Sequence, residues 1–407
     1  MVRTTRRRLR TTVTGTVLAL GVAVLMPQAA SAQPPRPTLP VGAPTYTVEV
    51  NRPQGSPGYI YYSTGMSAAA LVPGAEPLLS RLPVTAPANI VLDKAGRELW
   101  RYTPPPGQTV SNFRTQTYQG KRVLTWWQGS TEGGHGSGVD MIADEHGDII
   151  ETLSPGGDSS DVHEFRLTPD GRALITSYHE VTADLSAIGG PVDARMYDTV
   201  ASVVDIATKQ VLFRWSAAEH VPLTESVTDG RLPGSNVYDP YHMNAISLDP
   251  RGDLVISMRN TSTVYDVDIR TGEINWQLGG KNSGFELGPG AQFAFQHDAE
   301  FADDDTLRLF NNNSSGFTTL GVSSVQWIDL DLAARRATLA RNQTHPAGLT
   351  AFAMGNAQGL ANGNTLVGWG MAPHISEFSP SGELVYDAAL PLGTYRAYLE
   401  DRAPTRN

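Results

Sequence analysis

Three histidines, an asparagine and an arginine stand at spacings that could gather them into one site. In the stretch 239–259 the order is Asp239, Pro240, Tyr241, His242, Met243, Asn244, then Ala245, Ile246 and Leu248. A turn follows at Pro250, Arg251 and Gly252, and Leu254, Val255 and Ile256 lead back to Arg259. This is the pattern of a β-hairpin. Folding it sets Arg259 beside His242 and Asn244, and the period of two along a strand puts those two on one face. An imidazole, a carboxamide and a guanidinium in a small space suit a tetrahedral anion. A single hairpin with polar ends would need no such explanation, but this one recurs.

Equivalent hairpins read at 112–127, 163–178, 244–259, 297–312 and 355–370. Counting eight residues back from the turn residues Gly120, Gly171, Gly252, Asp305 and Gly363 gives Asn112, His163, Asn244, His297 and Gly355. Counting seven forward gives Trp127, Tyr178, Arg259, Asn312 and Gly370. Between them lie hairpins of a second kind, at 90–100, 203–215, 264–276 and 375–386, three of which end in tryptophan. Two hairpins per unit make a four-stranded antiparallel sheet, and such units in series predict an all-β, six-bladed β-propeller. The sixth blade is assembled from Tyr59, Ile60, Tyr61 and Tyr62 with the 90–100 hairpin, closed by a C-terminal strand; seven or eight blades are the alternatives. A β-sandwich does not require two alternating hairpin types.

In a propeller the innermost strands line a central channel, so equivalent positions form a ring. His163, His242 and His297 therefore converge on one end of it. Turns at the other end are tight, whereas connections at this end are long (128–137, 179–200, 216–241, 278–296, 311–321), which marks the histidine end as the functional face. A neutral His297, packed by Phe293 and Phe295 and followed by Asp298, is a competent nucleophile toward phosphorus or sulfur. Arg259, His242 and Asn244 can hold equatorial oxygens, and His163 can serve as general acid and base. Tyr178, Phe317 and Trp369 are expected as aromatic walls. Three imidazoles could instead hold zinc; Arg259 at the same ring opposes a dication, and cofactor-free group transfer is the reading adopted, with no metal. His135, within Gly133-Gly134-His135-Gly136, lies on the functional face or in a surface loop. His146, His179, His220, His345 and His374 read as solvated polar residues. The Asp303-Asp304-Asp305 run lacks calcium-loop spacing. No nucleophile elbow or phosphate loop is found.

Residues 1–32 have the build of an export signal: five arginines in the first ten residues, an apolar run at 13–26, and Ala30-Ser31-Ala32 before the cut. The run is short for a membrane span, and either the general or the twin-arginine route would serve. Residues 33–58 form a proline-rich lead-in, and 59–400 a single propeller domain. Removing the head takes the net charge from −10 to about −15, which argues against nucleic-acid binding. With no cysteine, thiolate metal sites, iron–sulfur clusters and disulfides are excluded. An exported chain of about 375 residues can bury its core without them.

The elements Asp161-Val162-His163-Glu164-Phe165, Asp239-x-x-His242-x-Asn244, Ser257-x-Arg259, Trp276-x-Leu278-Gly279-Gly280, Phe295-x-His297-Asp298 and Leu309-Phe310-x-Asn312 resemble, in that order, the bacterial arylsulfate sulfotransferases. The resemblance runs from about residue 90 to 398. It implies a six-bladed propeller that moves a sulfuryl group from a phenolic sulfate to a phenol without a nucleotide donor, through a sulfohistidine in a ping-pong cycle. Residue by residue, it implies that His297 is sulfated, that His242 and Arg259 hold the sulfuryl oxygens, and that His163 is the remaining active-site histidine; Asn244 falls in the same motif. The short region before the propeller and the missing cysteines resemble the compact, secreted branch. The partners implied are a phenolic sulfate donor and a phenol acceptor, without nucleic acid or membrane. A non-catalytic propeller for an anionic aromatic or a glycan is the alternative. A quinoprotein dehydrogenase, suggested by Gly96 to Trp100 and Gly272 to Trp276, is the remaining one.

Overall fold

A computed structural model describes residues 46–65, 86–228, 231, 236–316 and 318–405. Residues 1–32, expected to be an export signal, residues 33–45 of the expected lead-in, and Phe317 lie outside the described residues. Six sheets follow one another along the chain, as the hairpin pattern predicts. Blade I contains Tyr59–Thr64, Ala88–Asp93 and Glu98–Tyr102, and its inner strand is the C-terminal Ala397–Glu400. Blade II runs Thr109–Tyr118, Lys121–Glu132, His135–Ala143 and Ile149–Leu153. Blade III runs Phe165–Leu167, Arg172–Ala183, Ala194–Asp205 and Val211–Ser216. Blade IV runs Met243–Leu248, Leu254–Met258, Thr263–Val267 and Ile274–Gly279. Blade V runs His297–Phe301, Thr306–Asn311, Ser324–Asp331 and Arg336–Thr344, and blade VI Asn356–Gly359, Thr365–Gly368, His374–Phe378 and Leu384–Ala389.

Two features differ from the sequence reading. Thr47–Asn51, expected within the lead-in, pairs antiparallel with Leu384–Ala389 as a fifth strand of blade VI. The fold is therefore closed twice, by the first strand on blade VI and the last strand in blade I. The expected loops at 128–137 and 179–200 are continuous hairpins instead, paired as far as Glu132 with His135 and Ala183 with Ala194.

The strands read as apolar runs because both faces are buried. Leu254 and Ile256 enter the seam between blades III and IV, while Val255, pointing the opposite way, enters the seam between IV and V. Six apolar clusters fill the six seams in this fashion. Trp100, Trp215 and Trp276 pack into seams from the outer strands. Around the channel, radially placed inner strands are joined by side chains rather than by a backbone ladder. Asn356 donates to Ala397 O (2.8 Å) and accepts from Ala397 N–H (2.9 Å). Gln358 treats Leu399 in the same way, and Asn244 donates to Gln296 O at 2.7 Å.

Candidate active site

The channel mouth gathers the ring residues by means of bulges. Register shifts interrupt the inner strands at Ser111/Arg114, Met243/Ala245 and His297/Glu300. Asn112, His242, Phe295, Asp298 and Met354 adopt positive φ of 50–65° there. Bulges re-aim side chains at the cost of regular pairing. One consequence corrects the expectation from strict alternation. His242 faces the other histidines, whereas Asn244 turns into the seam with blade V, where its amide holds Gln296 O.

His297 is 2 % exposed, and its tautomer follows from its neighbours. Nδ1 lies 2.7 Å from Asn312 Oδ1 and 3.1 Å from Phe295 O, both acceptors, so Nδ1 carries the proton. The orientation of the Asn312 amide is fixed because its Nδ2 donates to Ala351 O and Met354 O, each at 2.9 Å. Nε2 is left with a lone pair, touched only by Met354 N–H at 3.2 Å. Burial and then the Arg259 charge hold His297 well below the ordinary histidine pKa, so the ring is neutral near pH 7. The segment before it is fastened by Gln296, whose Nε2 donates to Ser257 Oγ, Met258 O and Thr263 O. The Leu278-Gly279-Gly280 motif permits this packing: a Cβ on Gly279 would stand 2.6 Å from Phe293 Cζ, and one on Gly280 2.1 Å from Thr263 Oγ1.

The other two histidines are backed by carboxylates. His163 Nδ1–H donates to Asp161 Oδ1, and His242 Nδ1–H donates to Asp239 Oδ2 at 2.5 Å. Their rings stand 4.8 Å apart, edge to face. His242 is also held well below its ordinary pKa, by burial first and Arg259 second, against the pull of Asp239. Arg259 donates Nε–H to Asn260 Oδ1 (3.0 Å), with its guanidinium carbon 5.5 Å from the Phe295 ring. Its terminal nitrogens have no hydrogen-bond partner among the described residues, which leaves them for an anion.

Tyr178 lies at the site, its hydroxyl on Met243 O (2.7 Å) and its ring 5.7 Å from His163 and 6.0 Å from His242. Trp369 does not line it: fully buried between blades V and VI, it packs on Phe310 and Phe378 and donates to Ser376 Oγ. Two further residues are here: His135, placed from sequence on the functional face or in a surface loop, and Tyr395, which the sequence did not mark. His135, 6 % exposed, shares Asp239 Oδ2 at 3.1 Å. Tyr395, on the approach to the closing strand, puts its ring 5.6 Å from His163 and 6.5 Å from His297. The alternate glycines 136 and 138 after His135 were the available signal for its placement, since they mark a strand face with no room for side chains. Below the mouth a buried ion network fills the channel, with Glu164 between Arg396 and Arg114. His345, read as solvated, is buried against Asp387 with His374 alongside.

Among the described residues three groups offer clustered ligand atoms: His135, Asp239 and His242; His345, His374 and Asp387; Asp249, Asp253 and Asp266. At the channel mouth the 2.5 Å contact between His242 and Asp239 is a hydrogen bond. Two donors on one zinc with bonds near 2.0–2.1 Å would stand about 3.3 Å apart. In the second group Ala347 N–H donates to His345 Nδ1 (3.1 Å), which puts the proton on the nitrogen that faces Asp387.

The model of the arylsulfotransferase (ASST) family matches residues 114–390, well over half of the chain. The chain belongs to the arylsulfotransferase family. The match covers most of blade II, blades III to V and most of VI, and includes His163, His242, Arg259, His297 and Asn312, while Asn112 and Tyr395 fall outside it. Among curated proteins none matches significantly. Among solved structures, a protein of unknown function from Bacteroides caccae is 13 % identical, with 84 % of this chain and 98 % of that one covered and a TM-score of 0.48. A catalytically inactive virginiamycin B lyase from Staphylococcus aureus, solved with quinupristin, is 12 % identical, with 84 % and 88 % covered and a TM-score of 0.40. The quinohemoprotein alcohol dehydrogenase of Comamonas testosteroni is 12 % identical, with 76 % and 57 % covered and a TM-score of 0.34.

Proposed function

We propose that this arylsulfotransferase-family chain transfers a sulfuryl group from a phenolic sulfate ester to an acceptor phenol, with His297 as the carrier. The observation that carries the reading is the state of His297: a neutral, buried imidazole with its proton fixed on Nδ1, its Nε2 lone pair met by Met354 N–H, and its pKa lowered by burial and the Arg259 charge. In the first half-reaction Nε2 attacks sulfur, releasing the light contact with Met354 N–H. The S–O bond to the aryl group breaks, and its electron pair leaves on the phenolate oxygen. His163, protonated on both nitrogens and paired with Asp161, gives its Nε2 proton to that oxygen. Arg259 and a protonated His242 neutralise the sulfuryl oxygens, where charge develops. As positive charge grows on the His297 ring, the Asn312 and Phe295 acceptors bind Nδ1–H more strongly.

In the second half-reaction the now neutral His163 takes the proton of the acceptor phenol. The phenolate attacks sulfur, and the S–N bond breaks to return its pair to Nε2. Tyr178 and Tyr395 supply aromatic surface for either ring. The donor site is thus vacated before the acceptor enters, which is a ping-pong order. We further propose that the chain is exported, with residues 1–32 removed; the N-terminal sequence of the extracellular product should begin at Gln33.

The deciding assay is phenol release from a chromogenic aryl sulfate, with and without an acceptor phenol. Wild type should release phenol in an acceptor-dependent manner, and the peptide containing His297 should gain the mass of one sulfuryl group when acceptor is withheld. His297→Asn should lose both, by at least about 10⁴-fold in turnover. Acceptor-independent release would mean a sulfatase. Saturable binding without labelling would mean a binding module.

A further inference from the structure

We propose that His135 is a positioning residue of the transfer site, acting through Asp239 on the protonation of His242; this rests on the sulfuryl-transfer reading above. His135 sits at the tip of the blade II hairpin, where Glu132 pairs with His135 across Gly133 and Gly134. Both glycines take positive φ (60° and 89°), which a tight two-residue turn requires. The tip lies flat on the channel mouth because no side chain lifts it. A Cβ on Gly136 would meet Val162 N at 2.6 Å and Trp127 Cζ2 at 2.7 Å, and one on Gly138 would meet Gln128 O at 2.2 Å.

From that position the tip touches both carboxylates that back the site histidines. Gly136 N–H donates to Asp161 Oδ2 at 2.6 Å, behind His163. His135 Nε2–H donates to Asp239 Oδ2 at 3.1 Å, behind His242. The His135 ring is held at 4.5 Å from Tyr178 and 4.3 Å from Tyr197, and its Nδ1 is buried without a hydrogen-bond partner among the described residues. Asp239 offers no second oxygen to separate the two donors, since its Oδ1 is likewise buried and unbonded. One oxygen atom therefore serves His135 and His242 together.

The chemical consequence follows from that sharing. To bind a sulfuryl oxygen, His242 must carry a proton on Nε2 as well as Nδ1, and the imidazolium depends on the charge of Asp239. A hydrogen bond from His135 draws part of that charge away and lowers the basicity of His242. The remaining groups facing His242 are His163, Tyr178 and Arg259. Arg259 also opposes protonation, so an incoming sulfate is what tips His242 to the charged form. His135 makes that change conditional on the ligand.

The test uses the full folded chain with His135→Gln, whose amide nitrogen can donate from the Nε2 position, and His135→Phe, which keeps a ring but no donor. His135→Asn, too short to reach Asp239, stands in if the Phe variant does not fold. His242 protonation is followed by ¹⁵N-histidine NMR across pH, assigned with His242→Asn, and the pH profile of kcat/KM is taken with the chromogenic sulfate. In the Phe or Asn variant the His242 midpoint should rise by about half to one pH unit, the size expected for one lost hydrogen bond. The Gln variant should return toward wild type, and the pH profile should move with the midpoint. An unchanged midpoint in all variants, with only thermal stability altered, would overturn the proposal and leave His135 as packing. If wild type transfers no sulfuryl group, the functional reading fails separately, and the NMR titration still decides the role of His135.

Discussion

Replacing Glu164 by Gln is expected to destabilise the propeller more than any single active-site substitution, although Glu164 touches no substrate. Its carboxylate is fully buried, with Oε2 2.9 Å from Arg396 Nη1 and Oε1 3.0 Å from Arg114 Nη2. Arg396 is itself buried, held besides, among the described residues, by Asn244 O at 3.2 Å and Asp298 Oδ1 at 3.5 Å. Two routes give the magnitude. Breaking a buried ion pair by removing one partner costs about 3–5 kcal/mol, because the other charge is left uncompensated. Independently, Arg396, Arg166 and Arg114 overcome the burial of Glu164 and hold its pKa at about 2, against an ordinary 4.5. At about 1.4 kcal/mol per pKa unit, that gap corresponds to about 3 kcal/mol. The sign follows from linkage: a depressed carboxylate pKa contributes fully above about pH 4.5, and the contribution fades as pH falls toward 2. Urea denaturation at pH 7 should show Glu164→Gln less stable by about 3–4 kcal/mol. The loss of wild-type stability between pH 4.5 and 2 should be correspondingly shallower in the variant. A variant within about 1 kcal/mol of wild type, with the same acid slope, would refute the view that this ion network holds the channel closed.

Three other outcomes follow from the site. Arg259→Gln removes a charge that opposes protonation of His297 and His242. Both pKa values should then rise toward the ordinary one, and since the nucleophile must be neutral, the acid limb of kcat/KM should move to higher pH while KM for the sulfate increases. Asn312→Ala takes away the 2.7 Å acceptor of His297 Nδ1–H, leaves Met354 O without its side-chain donor, and leaves Ala351 O with the longer bond from Ser323 Oγ (3.4 Å). Single-turnover sulfation should slow by about tenfold or more, with stability down by about 1–3 kcal/mol by denaturation. Gly136→Ala places a Cβ against the backbone of Val162, which cannot yield without moving the hairpin tip. Activity should fall, with a smaller change in melting temperature than Glu164→Gln produces.

The propeller was legible because its signal repeats. A turn residue eight positions after a ring residue, found five times, fixes inner strands whatever the individual propensities, and the observed sheets follow that count. Local rules failed where the chain leaves regular geometry. His242 and Asn244 are two residues apart, yet the bulge between Met243 and Ala245 sends them to different neighbours. Trp369 occupies a ring-equivalent neighbourhood but is buried in a seam, because sequence spacing gives a strand position and not the direction of a side chain next to a positive-φ residue, here Gly370. Pairing at long separation was invisible in principle: nothing near Glu164 points to Arg396, 232 residues later.

The same limit explains why the site is more than its ring. Each ring histidine is set by a partner on the chain: Asn312 for His297, Asp161 for His163, Asp239 for His242. Two of those partners are acids and one is a neutral amide. An acid behind a histidine favours the imidazolium, which suits a proton carrier or an anion binder. A neutral acceptor fixes the tautomer without adding charge, so burial and Arg259 keep His297 unprotonated and nucleophilic. The division of labour among three chemically identical side chains thus lies in their second partners. Exchanging one partner tests it directly: Asn312→Asp should raise the His297 pKa and slow attack at neutral pH, although it retains an acceptor at the same position. Single-turnover labelling that is as fast in Asn312→Asp as in wild type would remove the basis for assigning the nucleophile by its partner.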